Sequence, residues 1–184
     1  PSGMAALLGA ELEAAEALAA ACRQAGGALW VANVNAPGQV VLAGSCEALA
    51  WAEAHAREHG VRRVVSLKVA GAFHTPLMAP AAARLAEAVA ATSFRPLRFP
   101  VWANATAAPY GNAGALLLDQ LTAPVRFAAS LQAMAASGIG CFVHVGPGDV
   151  TAGLARRSVE GAETHVVSRL DEVDAVAAAL GASV

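Results

Sequence analysis

One histidine, His74, stands in the apolar run 69-VAGAFHTPLMAP-80, and a proline follows two residues later. An imidazole titrates near neutral pH, so it suits proton transfer, but only with a nucleophile or an acid within hydrogen-bond reach. The strained serine turn G-x-S-x-G does not occur in the 184 residues. A lone histidine beside Phe73 is by default a core residue. What argues for a site is the neighbourhood: Gly71 permits close backbone approach, and Pro76 turns the chain directly after the ring. A side chain presented at such a corner is placed to face a cleft.

Other residues compete for chemistry. The segment 55-HAREH-59 fits H-x-x-E-H, which on an α-helix sets His55 and His59 one turn apart, as a zinc site requires. Against this, Gly60 follows at once, so His59 lies in the last turn, where the helix dipole favours a cation. Trp51 shares the same face, which reads as packing. His144 and His165 lie in apolar strands and read as structural. The turn 146-GPGD-149 opens a helix, where free N–H groups bind anions. It lacks the Walker lysine and the G-x-G-x-x-G spacing, so Asp149 is expected only to cap the helix. The three cysteines, Cys22, Cys46 and Cys141, are odd in number without C-x-x-C spacing, which disfavours structural zinc and a disulfide framework and fits a reducing cytosol.

These groups need a scaffold, and the order of elements supplies one. Strands are predicted over Met4–Leu8, Leu29–Asn35, Gln39–Ala43 and Val61–Val69, and helices over Glu11–Gln24 and from Ser45 as N-cap to His59. Ala36-Pro37-Gly38 forms the turn between the middle strands. The sum is β-α-β-β-α-β, the ferredoxin-like order. Beyond His74, helices are expected over Pro76–Ala91, Leu116–Leu121, Val125–Ala136, Asp149–Ser158 and Asp171–Leu180. Strands are expected over Phe99–Ala103, Gly140–Val145 and Thr164–Val167, with the second read as a buried parallel strand. A boundary near Ala70 divides the two patterns.

Composition narrows the function classes. A net charge of −2 gives no basic field for nucleic acid, and 57% hydrophobic residues suffice for a packed core. Two stretches without Asp, Glu, Lys or Arg, Phe99–Leu118 and Phe127–Gly148, are broken by Gly, Pro, Asn or Ser, so they read as core segments rather than membrane spans. No signal peptide is visible, and because the chain opens on Pro1 a preceding N-terminal part is expected.

Four motifs in order, 33-NVNAPGQVVLAG-44, 71-GAFHTPLM-78, 120-QLTAPVRF-127 and 145-VGPG-148, resemble those of malonyl-CoA:acyl carrier protein transacylases. The resemblance implies an α/β fold with a ferredoxin-like small subdomain, residues 1–70. Residues 71–184 would be the C-terminal part of a larger α/β-hydrolase-like subdomain. It implies ping-pong malonyl transfer from coenzyme A to the phosphopantetheine thiol of acyl carrier protein through a malonyl-serine. The serine, and the arginine that grips the malonyl carboxylate, would precede Pro1, which leaves this chain alone inactive. His74 is then the base, and the Gln120 backbone carbonyl holds its tautomer in place of a triad aspartate. Asn35 lines the cleft, and its plainer reading is turn capping before Pro37. Phe73 crowds the carbon between the malonyl carbonyls, disfavouring methylmalonyl. Gly71 replaces the histidine that often opens this motif in polyketide synthase domains, which favours the stand-alone fatty-acid enzyme. The family uses no cofactor, metal, nucleic acid or membrane, and the complete protein is expected to be a cytoplasmic monomer. The alternatives are an acyltransferase domain of a polyketide synthase, a non-catalytic ferredoxin-like binding module, and a zinc hydrolase built on His55 and His59.

Overall fold

The computed structural model describes residues 1–111 and 113–181, which form two compact units, Pro1–Ser130 and the residues from Leu131 onward. The first unit begins with β1 (Ser2–Leu8), α1 (Leu12–Gln24), β2 (Leu29–Ala36), β3 (Gln39–Ser45), α2 (Cys46–His55) and β4 (Arg63–Ser66). Its sheet runs in the order β2-β3-β1-β4, and every neighbouring pair is antiparallel. This is the arrangement the β-α-β-β-α-β order dictates: each helix crosses over one strand position, and the hairpin joins β2 to β3.

Both faces of this sheet are used. Residues alternate with period two, so Leu7, Val40 and Leu42 face α1 and α2 while Met4, Val41 and Ala43 face the other way. The helix side holds the larger core, with Ala15, Leu18, Ala19 and Cys22 forming the i, i+3, i+4, i+7 stripe of α1. Each leucine completely removed from water there contributes about 1.5–3 kcal/mol. The opposite side is a smaller cluster of Met4, Ala32, Val41, Ala43 and Ala72. Through Ala72 this cluster reaches the segment that carries His74. At Gly44 the Ala28 carbonyl oxygen approaches so closely that a β-carbon would overlap it, which fixes glycine there.

Ser45 caps α2 by accepting from the Ala48 N–H at 3.1 Å. The helix is expected to run to His59 but becomes a 3-10 turn over Ala56–His59, closed by Gly60 at φ 76°. The predicted strand Val61–Val69 pairs only over Arg63–Ser66. After one further bond, Leu67 N–H to the Met4 carbonyl, Val69 N–H turns back to the Leu67 carbonyl and the ladder ends. Burial raises the pKa of the Cys22 thiol above its ordinary value, with Arg23 opposing, while Cys46 is exposed, and all three cysteines are free.

The rest of the first unit contains α3 (Ala79–Ala90), the short pair β5 (Trp102–Ala103) and β6 (Ala108–Pro109), and α4 (Ala113–Thr122). The predicted helix Pro76–Ala91 starts as a 3-10 turn, Pro76–Met78, and becomes α-helical from Ala79. The expected strand Phe99–Ala103 pairs only at its last two residues. Helix α5 (Phe127–Ala136) begins two residues later than predicted, because Val125 bridges in parallel to Asn33 on the edge of β2.

The second unit holds β7 (Cys141–Val145), α6 (Val150–Ser158), β8 (Glu163–Val167) and α7 (Val173–Ala179). Strands β7 and β8 are parallel in register, as the apolar run suggests. The expected burial is absent, however: Val143 is 39% and Val145 75% exposed. Asp149 occupies the N-cap position of α6 without a side-chain capping bond, contrary to the cap expected of it, since φ −144° and ψ 13° are not the extended geometry of a cap. No helix among the described residues is long and apolar enough to cross a membrane.

Candidate active site

His74 sits at a corner with φ 61°, in the left-handed region that non-glycine residues rarely adopt. A residue held there needs its surroundings to impose the conformation, and such residues gather at functional sites. The restraints are visible on both sides. Ala72 N–H donates to the Ser2 hydroxyl at 3.2 Å, tying the segment to β1. Thr75, fully buried, donates to the Ala72 carbonyl at 2.7 Å and accepts from Leu77 N–H at 3.3 Å, so it closes the corner and caps the following turn. Pro76 occupies the first position of that turn, where its missing N–H costs nothing.

The ring of His74 is half-buried, and its Nδ1 lies 2.8 Å from the backbone carbonyl of Gln120. A carbonyl only accepts, so Nδ1 carries the proton and the lone pair is on Nε2. Among the described residues Nε2 takes no hydrogen bond. The contact joins residues 46 apart in sequence. It is positioned by α4, which packs against α3 and the turn after His74. Gln120 lies in the last turn of α4, where carbonyls have no partner within the helix and are open to other donors.

The Gln120 side chain is also fixed. Its amide donates to the Tyr110 hydroxyl at 3.0 Å, and its carbonyl oxygen accepts from the Asn104 amide at 3.4 Å. Val125 then bonds the β2 edge twice, donating to Ala32 and accepting from Val34, each at 2.8 Å. Arg126 N–H returns to the Asn104 carbonyl at 2.9 Å. Gln120 is therefore tied to the residues that follow β5 and β6, and the chain just beyond it is tied to β2 through Val125. Sequence reasoning missed Tyr110, Asn104 and Thr75. Only Thr75 had a readable signal, an N-cap residue followed by proline.

The remaining expected site residues are spread differently. Asn35 is the extra residue of a β-bulge between Val34 and Ala36, half-buried at the end of β2. No hydrogen bond among the described residues joins it to His74 or Gln120. Phe73, next to His74, is 39% exposed, so its ring is available to a ligand and is not core filling. The zinc alternative is corrected by the fold: the α-helix tightens after His55, so His55 and His59 lose the one-turn spacing. His55 Nδ1 binds the Trp51 carbonyl at 2.8 Å, and its ring stacks on Trp51 at 4.0 Å. Among the described residues the only trio of possible metal ligands is Cys141, Glu163 and His165, where His165 pairs with Glu163 at 2.8 Å.

The chain as a whole is similar to known proteins. Over 168 residues the chain is 39% identical to the malonyl CoA-acyl carrier protein transacylase of Escherichia coli strain K12, covering 89% of this chain and 53% of that protein. Over 174 residues it is 33% identical to the Bacillus subtilis strain 168 protein of the same name, covering 93% and 55%. Its homologues are malonyl-CoA:acyl carrier protein transacylases. The solved structure of an acyl carrier protein S-malonyltransferase from Vibrio cholerae superposes with a TM-score of 0.90 at 34% identity, covering 95% of this chain and 58% of that one. Its fold is thus that of the transacylases. No family model matches the chain. The chain spans about half the length of the curated relatives it matches.

Proposed function

We propose that this chain carries the base-bearing part of a malonyl-CoA:acyl carrier protein transacylase. The observation that carries the reading is His74, strained at a corner, with Nδ1 spent on the Gln120 carbonyl and Nε2 unspent. The nucleophilic serine belongs to the portion of the relatives that these 184 residues do not span. In that setting Nε2 takes the serine proton as the oxygen attacks the malonyl thioester, and it returns the proton to the departing coenzyme A thiolate. The phosphopantetheine thiol of acyl carrier protein then gives its proton to Nε2 and attacks the malonyl ester, and the proton goes back to the serine oxygen. The Gln120 carbonyl orients the imidazole without burying a second full charge.

Phe73 faces the malonyl methylene and Asn35 lines the same cleft. Residues 1–70 form the small subdomain and 71–184 part of the larger one. The complete protein is a cytoplasmic monomer acting on malonyl-CoA and acyl carrier protein. Incubation with malonyl-CoA followed by intact-mass analysis tests the reading: the complete protein gains one malonyl group on a serine, and the 184-residue chain alone gains none. Stoichiometric, stable malonylation of the 184-residue chain would overturn it.

A further inference from the structure

The carbonyl that binds His74 should, by the rules of the α-helix, be occupied. In an α-helix the carbonyl of residue i accepts from the N–H of residue i+4, so the partner due to Gln120 is residue 124. The bond one residue earlier is made: Ala123 N–H donates to the Asp119 carbonyl at 2.8 Å. The next cannot form, because residue 124 is proline and has no N–H. Its ring also disfavours the α conformation at Ala123, so the chain leaves the helix and Val125 reaches the β2 edge.

We infer that Pro124 is a positioning residue: by withholding a donor it keeps the Gln120 carbonyl free for the Nδ1–H of His74. Tyr110 and Asn104 hold the side chain of the same residue. An N–H at position 124 would compete with the imidazole for one acceptor. The ring would lose the bond that selects its tautomer, and Nε2 would spend part of its time protonated and unable to accept. This inference rests on the reading of His74 as the base for its consequence in catalysis, though its structural part does not.

The test compares two replacements of equal size in the 184-residue chain, made by semisynthesis. Pro124→Ala adds the donor, whereas lactic acid at position 124, the ester analogue of alanine, does not. Long-range ¹H–¹⁵N spectra read the His74 tautomer directly, with circular dichroism as the check on folding. The expected result is a dominant Nδ1–H tautomer with proline and with lactate, and a mixed or inverted population with alanine. An unchanged tautomer in folded Pro124→Ala overturns the inference. So does loss of the Nδ1–H tautomer in the lactate chain, because the proline ring and not the missing donor would then be responsible. If Pro124→Ala fails to fold, loss of the Nδ1–H tautomer in the lactate chain still overturns the inference.

In the complete protein Pro124→Ala lowers kcat for malonyl transfer about 10- to 100-fold with little change in KM, the worth of one charge-assisted hydrogen bond. Lactate at 124 keeps kcat near that of proline. The tautomer shifting as expected while His74→Ala retains full transfer would refute the role of His74 as base and leave the positioning of its ring intact.

Discussion

His74 and His144 each stand in an apolar run, and the structure treats them in opposite ways. His144, on β7, spends both ring nitrogens: Nε2 donates to the Gly146 carbonyl at 3.1 Å, and Nδ1 accepts from the Thr151 hydroxyl. His74 spends only Nδ1, on a carbonyl from a distant helix, and keeps Nε2 free. The two rings therefore hold opposite tautomers, and only one has a lone pair to offer a substrate. Residue type and hydrophobic context do not distinguish the two rings. The identity of the nitrogen that is already occupied does.

The largest expected effect separates these two rings. In the complete protein His74→Ala lowers malonyl transfer by about 10²–10⁴-fold, the usual worth of a positioned general base. His144→Ala leaves transfer per folded molecule within about twofold and lowers stability by about 0.5–1.5 kcal/mol through its lost hydrogen bonds. Steady-state transfer together with urea unfolding measures both, and similar losses of activity in the two variants would erase the distinction.

A smaller effect sharpens the comparison on the side of the substrate. On the proposed reading Phe73 leads into the corner, and an added methyl on the malonyl carbon is expected to meet its ring. The complete protein prefers malonyl-CoA over methylmalonyl-CoA by about 10- to 200-fold in kcat/KM. Phe73→Ser narrows that preference and lowers malonyl transfer modestly. A ratio unchanged in the variant means that the ring points away from the acyl group.

The smallest effect concerns what holds the corner. Thr75→Val removes the hydroxyl that donates to Ala72 and caps the turn at Leu77. The expected cost is about 1–2 kcal/mol by urea unfolding, since the cap is lost and buried partners are left unpaired. No comparable cost is expected at Thr151, which accompanies His144 on exposed surface. Equal costs at the two positions would mean that the corner is not under restraint.

Much of the scaffold was legible. The period-two strands and the i, i+3, i+4, i+7 stripe of α1 give the split β-α-β order, because both signals are local and the small sheet completes its own core. Legibility ended where distant contacts decide. Val125 reads as the start of a helix until β2 offers its edge, and the expected run of β4 to Val69 fails because Val69 N–H turns back to the Leu67 carbonyl. The left-handed backbone of His74 leaves no mark in residue type, unlike the glycine turns. Gln120 entered only through resemblance to a family, although Pro124 four residues on announced an unclaimed carbonyl. Tyr110 and Asn104 contact Gln120 across a two-strand turn too short to be read from periodicity.

Chemical rescue tests most directly whether His74 is the base. Free imidazole is added to the complete His74→Ala protein, shown folded by circular dichroism, and malonyl transfer to acyl carrier protein is followed. Saturable recovery of transfer that is absent when His144→Ala or the parent protein is treated is the result the account predicts. Transfer by His74→Ala that equals the parent without imidazole would contradict it.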